Sequence, residues 1–418
     1  MKLSDIDLLD RDIFTKGVPH EWFTYLRKNA PVYKHPEPDG GPGFWVFSKH
    51  EDVINVGRNA KVFSSAAERG GVVGLEELSP QAQAAQEQGS AFIGRMMLYM
   101  DPPGHTRYRN TVYPTFRPRI INALEDHIRE RTVHILDTAI AKGECDFVVD
   151  IAAELPLQAI AELLGVPMED RHKIFDWSNR MIGSEDPEYA VDESRIQEAQ
   201  IEMFMYSEQL AADRRTNPRK DIITTLLNAE VDGHQLDELD FNLFFLLLAV
   251  AGNETTRNAI SHGMAALLEH PDQYAELVED PSLMHTTTEE ILRWASPVMY
   301  FRRNTTEDIE IRGEQIKAGD KVSLWYISAN RDEDVFEDPF QFDIHRHPND
   351  HIAFGGGPHF CLGNALARLE INVLFEELTK RVTKIESVGD LSRLRSNFIA
   401  GIKHLPVRFT DVREPAGV

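Results

Sequence analysis

Cysteine is scarce in this sequence: only Cys145 and Cys361 occur among its 418 residues. Two thiols exclude a disulfide-rich scaffold, and they exclude an all-cysteine zinc or iron–sulfur site within one chain. One disulfide between the two remains open, and so does a single cysteine with a chemical task of its own.

Basic residues are also in short supply. The sequence has 44 lysines and arginines against 68 aspartates and glutamates, which gives a formal net charge of −24. An acidic surface of this kind repels phosphate backbones, so we expect no nucleic-acid partner.

Long hydrophobic runs are missing as well. The longest strongly apolar stretch, residues 243–252, falls well short of the roughly 20 residues that span a bilayer. The amino-terminal residues MKLSDID carry acidic side chains where a secretory signal needs an apolar core. We therefore expect a cytoplasmic protein with no membrane anchor.

What the sequence does contain is mainly helical patterning. Apolar residues at helical spacing predict helices within 117–166, 168–182, 192–214 and 237–269. The last of these is apolar all round in its middle, which predicts a buried central helix about 45 Å long. Short strand-like pieces occur at 44–47, 309–311, 322–327 and 405–409. No repeat or linker divides the chain, so we predict a single domain over residues 1–418 that is mainly α with small β-sheets (α+β).

The strongest chemical signal surrounds Cys361. Residues 354–363 read FGGGPHFCLG, so three glycines and a proline force a tight, irregular backbone just before the cysteine. Apolar residues at helical spacing follow, which places Cys361 at a helix amino terminus, where free N–H groups stabilise a thiolate. A lone thiolate on a glycine-rich loop suits a single-cysteine metal ligand; the alternative is a buried structural cysteine beside a turn. Cys145 has no such context and is predicted to be structural.

The centre of the predicted long helix breaks two local rules. Residues 251–256 read AGNETT, which places Gly252 and Glu254 inside a buried apolar stretch. Glycine weakens a helix by about 1 kcal/mol relative to alanine, and an unpaired buried carboxylate is costly. Such local conflicts often mark a functional site; the alternative is a structural kink with Glu254 turned to solvent.

The ten-residue segment 354–363 matches, at every defined position, the haem-binding signature FGxGxHxCxG of the cytochrome P450 family. This resemblance implies the cytochrome P450 fold, with the long helix crossing over a haem b (iron protoporphyrin IX). It also implies that Cys361 is the metal ligand, an axial thiolate to the haem iron. The resemblance covers nearly the whole chain, with four motifs in the order found in the family.

Other residues gain roles from the same resemblance. The segment 101–109, DPPGHTRYR, resembles the family's third helix, whose His-x-x-x-Arg pair reaches the haem propionates. The residues implied to contact the cofactor are His105, Arg109, Arg303, His359, Cys361, Gly252 and Phe354. Glu290 and Arg293 resemble the family's structural Glu-x-x-Arg pair. Family members often complete that network with an arginine where this chain has Gln341, which carries no charge.

The resemblance further implies an activity. The chain would activate dioxygen and hydroxylate a hydrophobic small molecule, with Thr255 orienting dioxygen and its proton supply and Glu254 relaying protons. Residues 251–258 resemble those of family members that act on terpenoids, steroids and branched lipids. The predicted substrate wall is apolar and consists of Leu246, Val250, Ala251, Val298, Met299, Phe301, Phe398 and Ile399. Loops at 70–94 and 183–192 are expected to shape this pocket.

Electrons for such a reaction would come from a separate protein. No Gly-x-Gly-x-x-Gly motif follows a predicted strand, and the implied fold fills the chain without a flavin or nicotinamide domain. The implied partner is an iron–sulfur ferredoxin with its reductase, and ferredoxins are usually acidic. A basic docking face is predicted at Arg107, Arg109, Arg346 and Arg368.

Three other functions stay open at this point. A peroxide-driven haem-thiolate peroxygenase would need no ferredoxin, and a non-catalytic haem-binding protein would show no turnover. Metal-ligand residue types also occur at His345, His347, Asp350 and His351, as in a two-metal hydrolase. That run is one residue too long for the hydrolase motif and has no matching downstream ligand set, which disfavours the hydrolase.

Overall fold

Helices dominate the computed structural model, which describes residues 1–77, 91–183, 186–189 and 193–413. The predicted mainly α architecture with small sheets is confirmed. The predicted loops at 70–94 and 183–192 lie partly outside the described residues. Within the described ranges, no helix has both the length and the apolar character needed to cross a membrane.

Along the sequence, the other helices of the described chain come before and after one long central helix. Before it come α1 (Arg11–Phe14), α2 (His20–Asn29), α3 (His50–Arg58), α4 (Gly104–Val112), α5 (Pro118–Asn122), α6 (Glu125–Ile140), α7 (Glu154–Leu164), α8 (Arg171–Ile182), α9 (Glu193–Thr216) and α10 (Ile222–Leu227). The central helix α11 spans Glu238–Glu269. After it come α12 (Pro271–Glu279), α13 (Met284–Ala295), α14 (Tyr326–Ala329) and α15 (Asn364–Arg381).

The strands are short and form small sheets. They are β1 (Val32–His35), β2 (Phe44–Phe47), β3 (Phe63–Ser64), β4 (Glu144–Asp146), β5 (Glu230–Val231), β6 (His234–Gln235), β7 (Tyr300–Thr305), β8 (Ile309–Ile311), β9 (Glu314–Ile316), β10 (Lys321–Trp325), β11 (Val382–Ser387), β12 (Ser392–Arg393), β13 (Ile402–His404) and β14 (Pro406–Val412). The largest sheet has the order β1-β2-β10-β7-β3, in which β10 runs parallel to β2 and the other neighbours are antiparallel. A second sheet has the order β11-β14-β4 and sets Cys145 opposite Val407. The pairs β12–β13, β5–β6 and β8–β9 are two-stranded.

The central helix follows its sequence signal closely. Asp237 caps it by accepting a hydrogen bond from the N–H of Asp240 (3.0 Å). Most of α11 is buried, and it packs against α7, α8, α9 and α13. Gly252 lies at the crossing with α7, where an added Cβ would come within 2.9 Å of Ile160. The glycine that weakens the helix therefore allows close packing at its centre.

Two predicted boundaries differ from the structure. The helical stretch 117–166 is divided, because Gly143 adopts a left-handed φ of 75° and the chain enters β4 before α7 begins. The strand predicted at 322–327 ends at Trp325, where the backbone turns into α14. Ser328 in this turn donates a hydrogen bond to the carbonyl that follows β2 (2.7 Å). Both differences arise from a local turn that apolar spacing does not reveal.

Candidate active site

A deep cavity separates the middle of α11 from the loop that carries Cys361. One wall comes from α11 through Ala251, Gly252 and Thr255, and the opposite wall comes from residues 353–363. Side chains of α4, of β7 and of the turn after α13 close the sides. The cavity thus brings together the two segments that stand out in the sequence.

Cys361 lies in the wall opposite the central helix. Its backbone N–H donates to the carbonyl of Phe354 (2.9 Å), which closes the glycine-rich loop, and α15 begins later, at Asn364. Burial raises the pKa of the Cys361 thiol, against the opposing effects of the Gly363 N–H and two arginine side chains. The Gly363 N–H lowers the pKa as a helix amino terminus is expected to do, but burial has the larger effect on the thiol. A metal cation bound at the sulfur would deprotonate it outright.

Imidazole and guanidinium groups gather at one side of the cavity. The rings of His105 and His359 lie 4.1 Å apart between centroids. Nδ1 of His105 and Nε2 of His359 are buried without a hydrogen-bond partner among the described residues. Arg303 is buried on the same cavity wall and donates to a backbone carbonyl (2.7 Å). Arg109 also lines the cavity and donates to the carbonyl of Phe360 (2.7 Å).

These groups suit a ligand with an anionic edge. Burial, together with Arg109, lowers the pKa of His105 to about 4, and burial also takes the pKa of His359 well below its usual range. Both imidazoles are therefore neutral and can donate N–H, while within the described chain no carboxylate forms an ion pair with Arg109 or Arg303. Buried N–H donors that have no carboxylate partner favour an anionic ligand. Haem offers two propionates at its edge, a broad apolar face and an iron that takes a thiolate, so the residues present fit haem.

The two candidate catalytic residues are adjacent in sequence but face different surroundings. Thr255 lines the cavity, and its Oγ1 donates to the carbonyl of Ala251 one turn earlier (2.9 Å). Glu254 is buried elsewhere on α11, where Oε2 accepts a hydrogen bond from Arg257 and Oε1 has no partner among the described residues. Burial raises the pKa of Glu254, although Arg257 and Asn258 oppose the rise. The structure brings Thr255, but not the Glu254 carboxyl group, to the cavity wall.

Part of the predicted substrate wall lines the cavity. The predicted residues found there are Ala251, Val298 and Phe301. Leu246 and Val250 instead pack against the main hydrophobic core. At about 100° per residue, they lie about 180° and 140° around α11 from Thr255. Leu246 and Val250 therefore lie on a different face of α11 from Thr255, away from the cavity.

The other predicted wall residues lie behind the cavity. Met299 is buried in a cluster with amino-terminal residues, and Phe398 packs against that cluster. Ile399 pairs with Val298 in an isolated β-bridge. They support the cavity wall rather than form it within the described structure.

The structure also adds wall residues that the sequence reasoning missed. They include Met97, Leu98, Phe116, Ile160, Leu247 and Leu248. Helical phase could have found Leu247 and Leu248, which lie within about 80° of Thr255 around α11. The others come from α7 and from the segments flanking α4, and no local pattern links those segments to the central helix.

The predicted Glu290–Arg293 pair is confirmed, and both side chains are 0% exposed. Arg293 donates to both carboxylate oxygens of Glu290 at 2.7 Å. Arg346 adds a second cation, with its Nε 3.1 Å from Oε2 of Glu290. Gln341 takes part through its backbone carbonyl, which accepts from Arg293 (3.1 Å). The ionic triad is thus complete although position 341 carries no charge.

The same network changes the predicted docking face. The Arg346 side chain is 9% exposed and donates to three backbone carbonyls as well as to Glu290, so it is not a surface docking group. Arg368 pairs with a carboxylate of α13 (2.7 Å), and Arg107 pairs more loosely with Asp232 (3.3 Å). Of the four predicted arginines, Arg107, Arg109 and Arg368 remain as partly exposed candidates.

The histidine run at 345–351 does not converge on one point. Nε2 of His345 lies 2.9 Å from Glu276 on α12, and Nε2 of His351 lies 3.0 Å from Glu289 on α13. Within the described ranges, no group of three or more suitable side chains is placed to hold a metal ion. The hydrolase alternative has no support in this geometry.

Comparison with known proteins supports a haem site in this cavity. The family model for cytochrome P450 matches residues 155–383. The chain is 46% identical to the steroid C26-monooxygenase of Rhodococcus jostii, over 96% of this chain and 84% of that protein. It is 40% identical to the methyl-branched lipid omega-hydroxylase of Mycobacterium tuberculosis, over 98% and 95% of the two chains. A Mycobacterium marinum cytochrome P450 solved in complex with pseudoionone superposes with a TM-score of 0.88 and 37% identity, covering 97% and 98% of the two chains.

The fold and the cavity define a haem-thiolate oxidoreductase. The chain belongs to the cytochrome P450 family. It is therefore a monooxygenase that binds haem b and uses dioxygen to hydroxylate hydrophobic substrates.

Haem retention tests the role of the buried arginine. We expect Arg303→Met to lose haem about ten- to a hundredfold faster than the parent, because a charge-assisted hydrogen bond contributes about 1.5–3 kcal/mol. Transfer of haem to excess apomyoglobin measures the rate. Arg119→Met, which removes an exposed arginine of α5, is the matched control. Equal rates for the two variants would show that Arg303 does not hold the cofactor.

Proposed function

We propose that this chain hydroxylates a branched hydrophobic molecule of the terpenoid, steroid or branched-lipid class. The observation that carries the proposal is the apolar wall around Thr255, which includes Leu247, Leu248, Val298 and Phe301. Such a wall binds a ligand by burying the ligand's apolar surface, and this burial contributes about 25 cal/mol per Å² of apolar area. The names of the related proteins, which mention a steroid, a methyl-branched lipid and pseudoionone, support the same class.

We propose that Thr255 orients dioxygen and its proton supply and that Glu254 relays protons. When bound, haem with its thiolate ligand supplies the reductive activation of dioxygen. Thr255 presents its hydroxyl at the cavity wall and holds it oriented through the Ala251 carbonyl. Burial raises the pKa of Glu254 against its ion pair with Arg257, so its carboxyl group can take up a proton once it leaves that arginine. Release of Glu254 from Arg257 lets that proton move towards Thr255.

A spin-state titration followed by one substitution tests this function. Titrating the holoenzyme with terpenoids, sterols and methyl-branched fatty acids should reveal a ligand that shifts the haem spin state and is hydroxylated. With that ligand, Thr255→Ala should keep the spin shift but divert most NADH or NADPH consumption to peroxide, because the hydroxyl that guides protons is lost. Thr138→Ala, which removes an exposed threonine of α6 away from the cavity, is the control. Unchanged coupling in Thr255→Ala would contradict its role.

We also propose that residues 1–418 form one domain and that electrons come from a separate ferredoxin with its reductase. Helices from both halves of the chain, α4 and α11 among them, contribute to one cavity. A single domain that surrounds the haem cavity favours a separate protein as the source of electrons.

The surface near Cys361 offers groups for docking such a protein. Phe360, directly before Cys361, is 39% exposed and contacts Arg109. Nearby, the Arg117 guanidinium stacks on Tyr113 (5.7 Å). These groups offer an acidic ferredoxin both charge and aromatic contact.

Ionic strength tests the proposed donor. Between about 0.1 and 1 M salt the Debye length falls from about 10 to 3 Å. Electrostatically steered encounters gain about tenfold or more in rate at low salt, so we expect ferredoxin-driven reduction to slow by at least about tenfold over this range. Reduction by dithionite is the control and should change little. A ferredoxin rate that ignores salt would count against the basic docking face.

A further inference from the structure

A second groove, separate from the haem cavity, opens where α5, α6, α7 and α10 meet. We call it the lateral groove. Its volume is about 410 Å³, and its floor is Leu366 of α15. Leu366 also lines the haem cavity, so one side chain separates the two spaces. The proposed hydroxylation does not use this groove.

The interior of the lateral groove is apolar. Its lining hydrophobic residues are Ile120, Leu124, Ile128, Ala159, Leu163, Ile222 and Leu366. Ile120 is 47% exposed at the opening, although most isoleucines of this chain are buried. An open apolar groove of this size is typical of a site that takes an alkyl chain.

The mouth of the groove is basic in a chain that is acidic overall. Arg219, Lys220 and His127 line it together with two acids. Both acids are already paired: Asp221 accepts from Arg214 (2.5 Å) and from the N–H of Thr224 (2.8 Å).

The second acid, Glu162, accepts from Arg131 (3.0 Å) and pairs with His127 (3.0 Å). Lys220 forms no ion pair with any described carboxylate, and Arg219 reaches one weakly, at 3.4 Å from Asp213. The charge left over at the mouth is therefore positive.

From this combination we infer that the lateral groove binds an amphipathic carboxylate of the fatty-acid type. The alkyl chain lies along the apolar interior above Leu366. The carboxylate meets Lys220 and Arg219 at the mouth, where an ion pair adds to the apolar burial. The haem cavity and the lateral groove are then occupied independently.

Calorimetry of the holoenzyme tests this site without relying on turnover. The haem cavity is first saturated with an azole inhibitor, verified by its Soret shift, and dodecanoate is then titrated in. We expect about one equivalent of dodecanoate to bind, while dodecyltrimethylammonium, with the same chain and opposite charge, does not bind. No binding of dodecanoate after azole saturation would overturn the proposal, because uptake would then belong to the haem cavity.

Charge-reversal variants locate the site. The double substitution Arg219→Glu/Lys220→Glu should weaken dodecanoate binding by at least about tenfold, since the variant loses both ion pairs and adds charge repulsion. Lys384→Glu, which reverses an exposed lysine on β11, is the control and should bind like the parent. Ala159→Phe should also abolish binding by filling the groove. Parent-like affinity in the double variant would place the carboxylate elsewhere and overturn the proposal.

Discussion

Glu290→Gln is expected to lower the free energy of unfolding by about 3–5 kcal/mol, the cost of breaking a buried ion pair from one side. Glu290 and Arg293 are both fully buried, and Arg346 donates to the same carboxylate. Removing that negative charge leaves two buried or nearly buried guanidiniums without a counter-charge. Urea unfolding of the holoenzyme, followed by circular dichroism, measures the loss.

The neighbouring residue provides a matched control for this prediction. Glu289 also pairs with an arginine, Arg368 (2.7 Å), but its side chain is 18% exposed. Glu289 also pairs with His351 (3.0 Å), and its two partners lower its pKa to about 2. Glu289→Gln is therefore expected to cost about 1.5–3 kcal/mol, less than Glu290→Gln. A loss for Glu290→Gln no larger than that for Glu289→Gln would contradict the view that the buried triad supports the haem region.

Cys361→Ser is expected to abolish hydroxylation while leaving the fold largely intact. The sulfur is the proposed iron ligand in the cavity wall, and Cys361→Ser puts a serine hydroxyl in place of the thiolate that favours cleavage of the O–O bond. Loss of the thiolate-type Soret band and loss of product formation should occur together. Product formation at the parent rate by Cys361→Ser would contradict the assignment of the ligand.

Cys145→Ser separates loss of the ligand from loss of any thiol. Cys145 lies on β4, paired with β14, and does not line the haem cavity of the described chain. Burial raises the pKa of Cys145 to about 12, so this thiol is neutral. The variant should keep the Soret band and the activity of the parent.

The features that could be predicted from sequence are those fixed over a few residues of chain. The central helix α11 and the loop before Cys361 have local causes, namely apolar spacing and the sequence of glycines, and both are confirmed. The pairing of Glu290 with Arg293 is also local, because residues three apart share one face of a helix.

What could not be predicted depends on packing between distant segments. The second cation of the triad comes from Arg346, because the chain between α14 and α15 folds back onto α13. The pKa of Cys361 rises through burial that no local pattern specifies. Leu246 and Val250 differ in kind: they lie on the predicted helix, but on the face that packs against the core and not on the face that carries Thr255.

The central claim is that Cys361 binds haem iron as a thiolate, and the reduced, CO-bound difference spectrum tests it most directly. The holoenzyme is reduced with dithionite and exposed to carbon monoxide, with Cys361→Ser measured alongside. The account predicts the strongly red-shifted Soret band of thiolate-ligated haem in the parent and its loss in the variant. A parent spectrum typical of histidine-ligated haem, or the same band in both proteins, would contradict it.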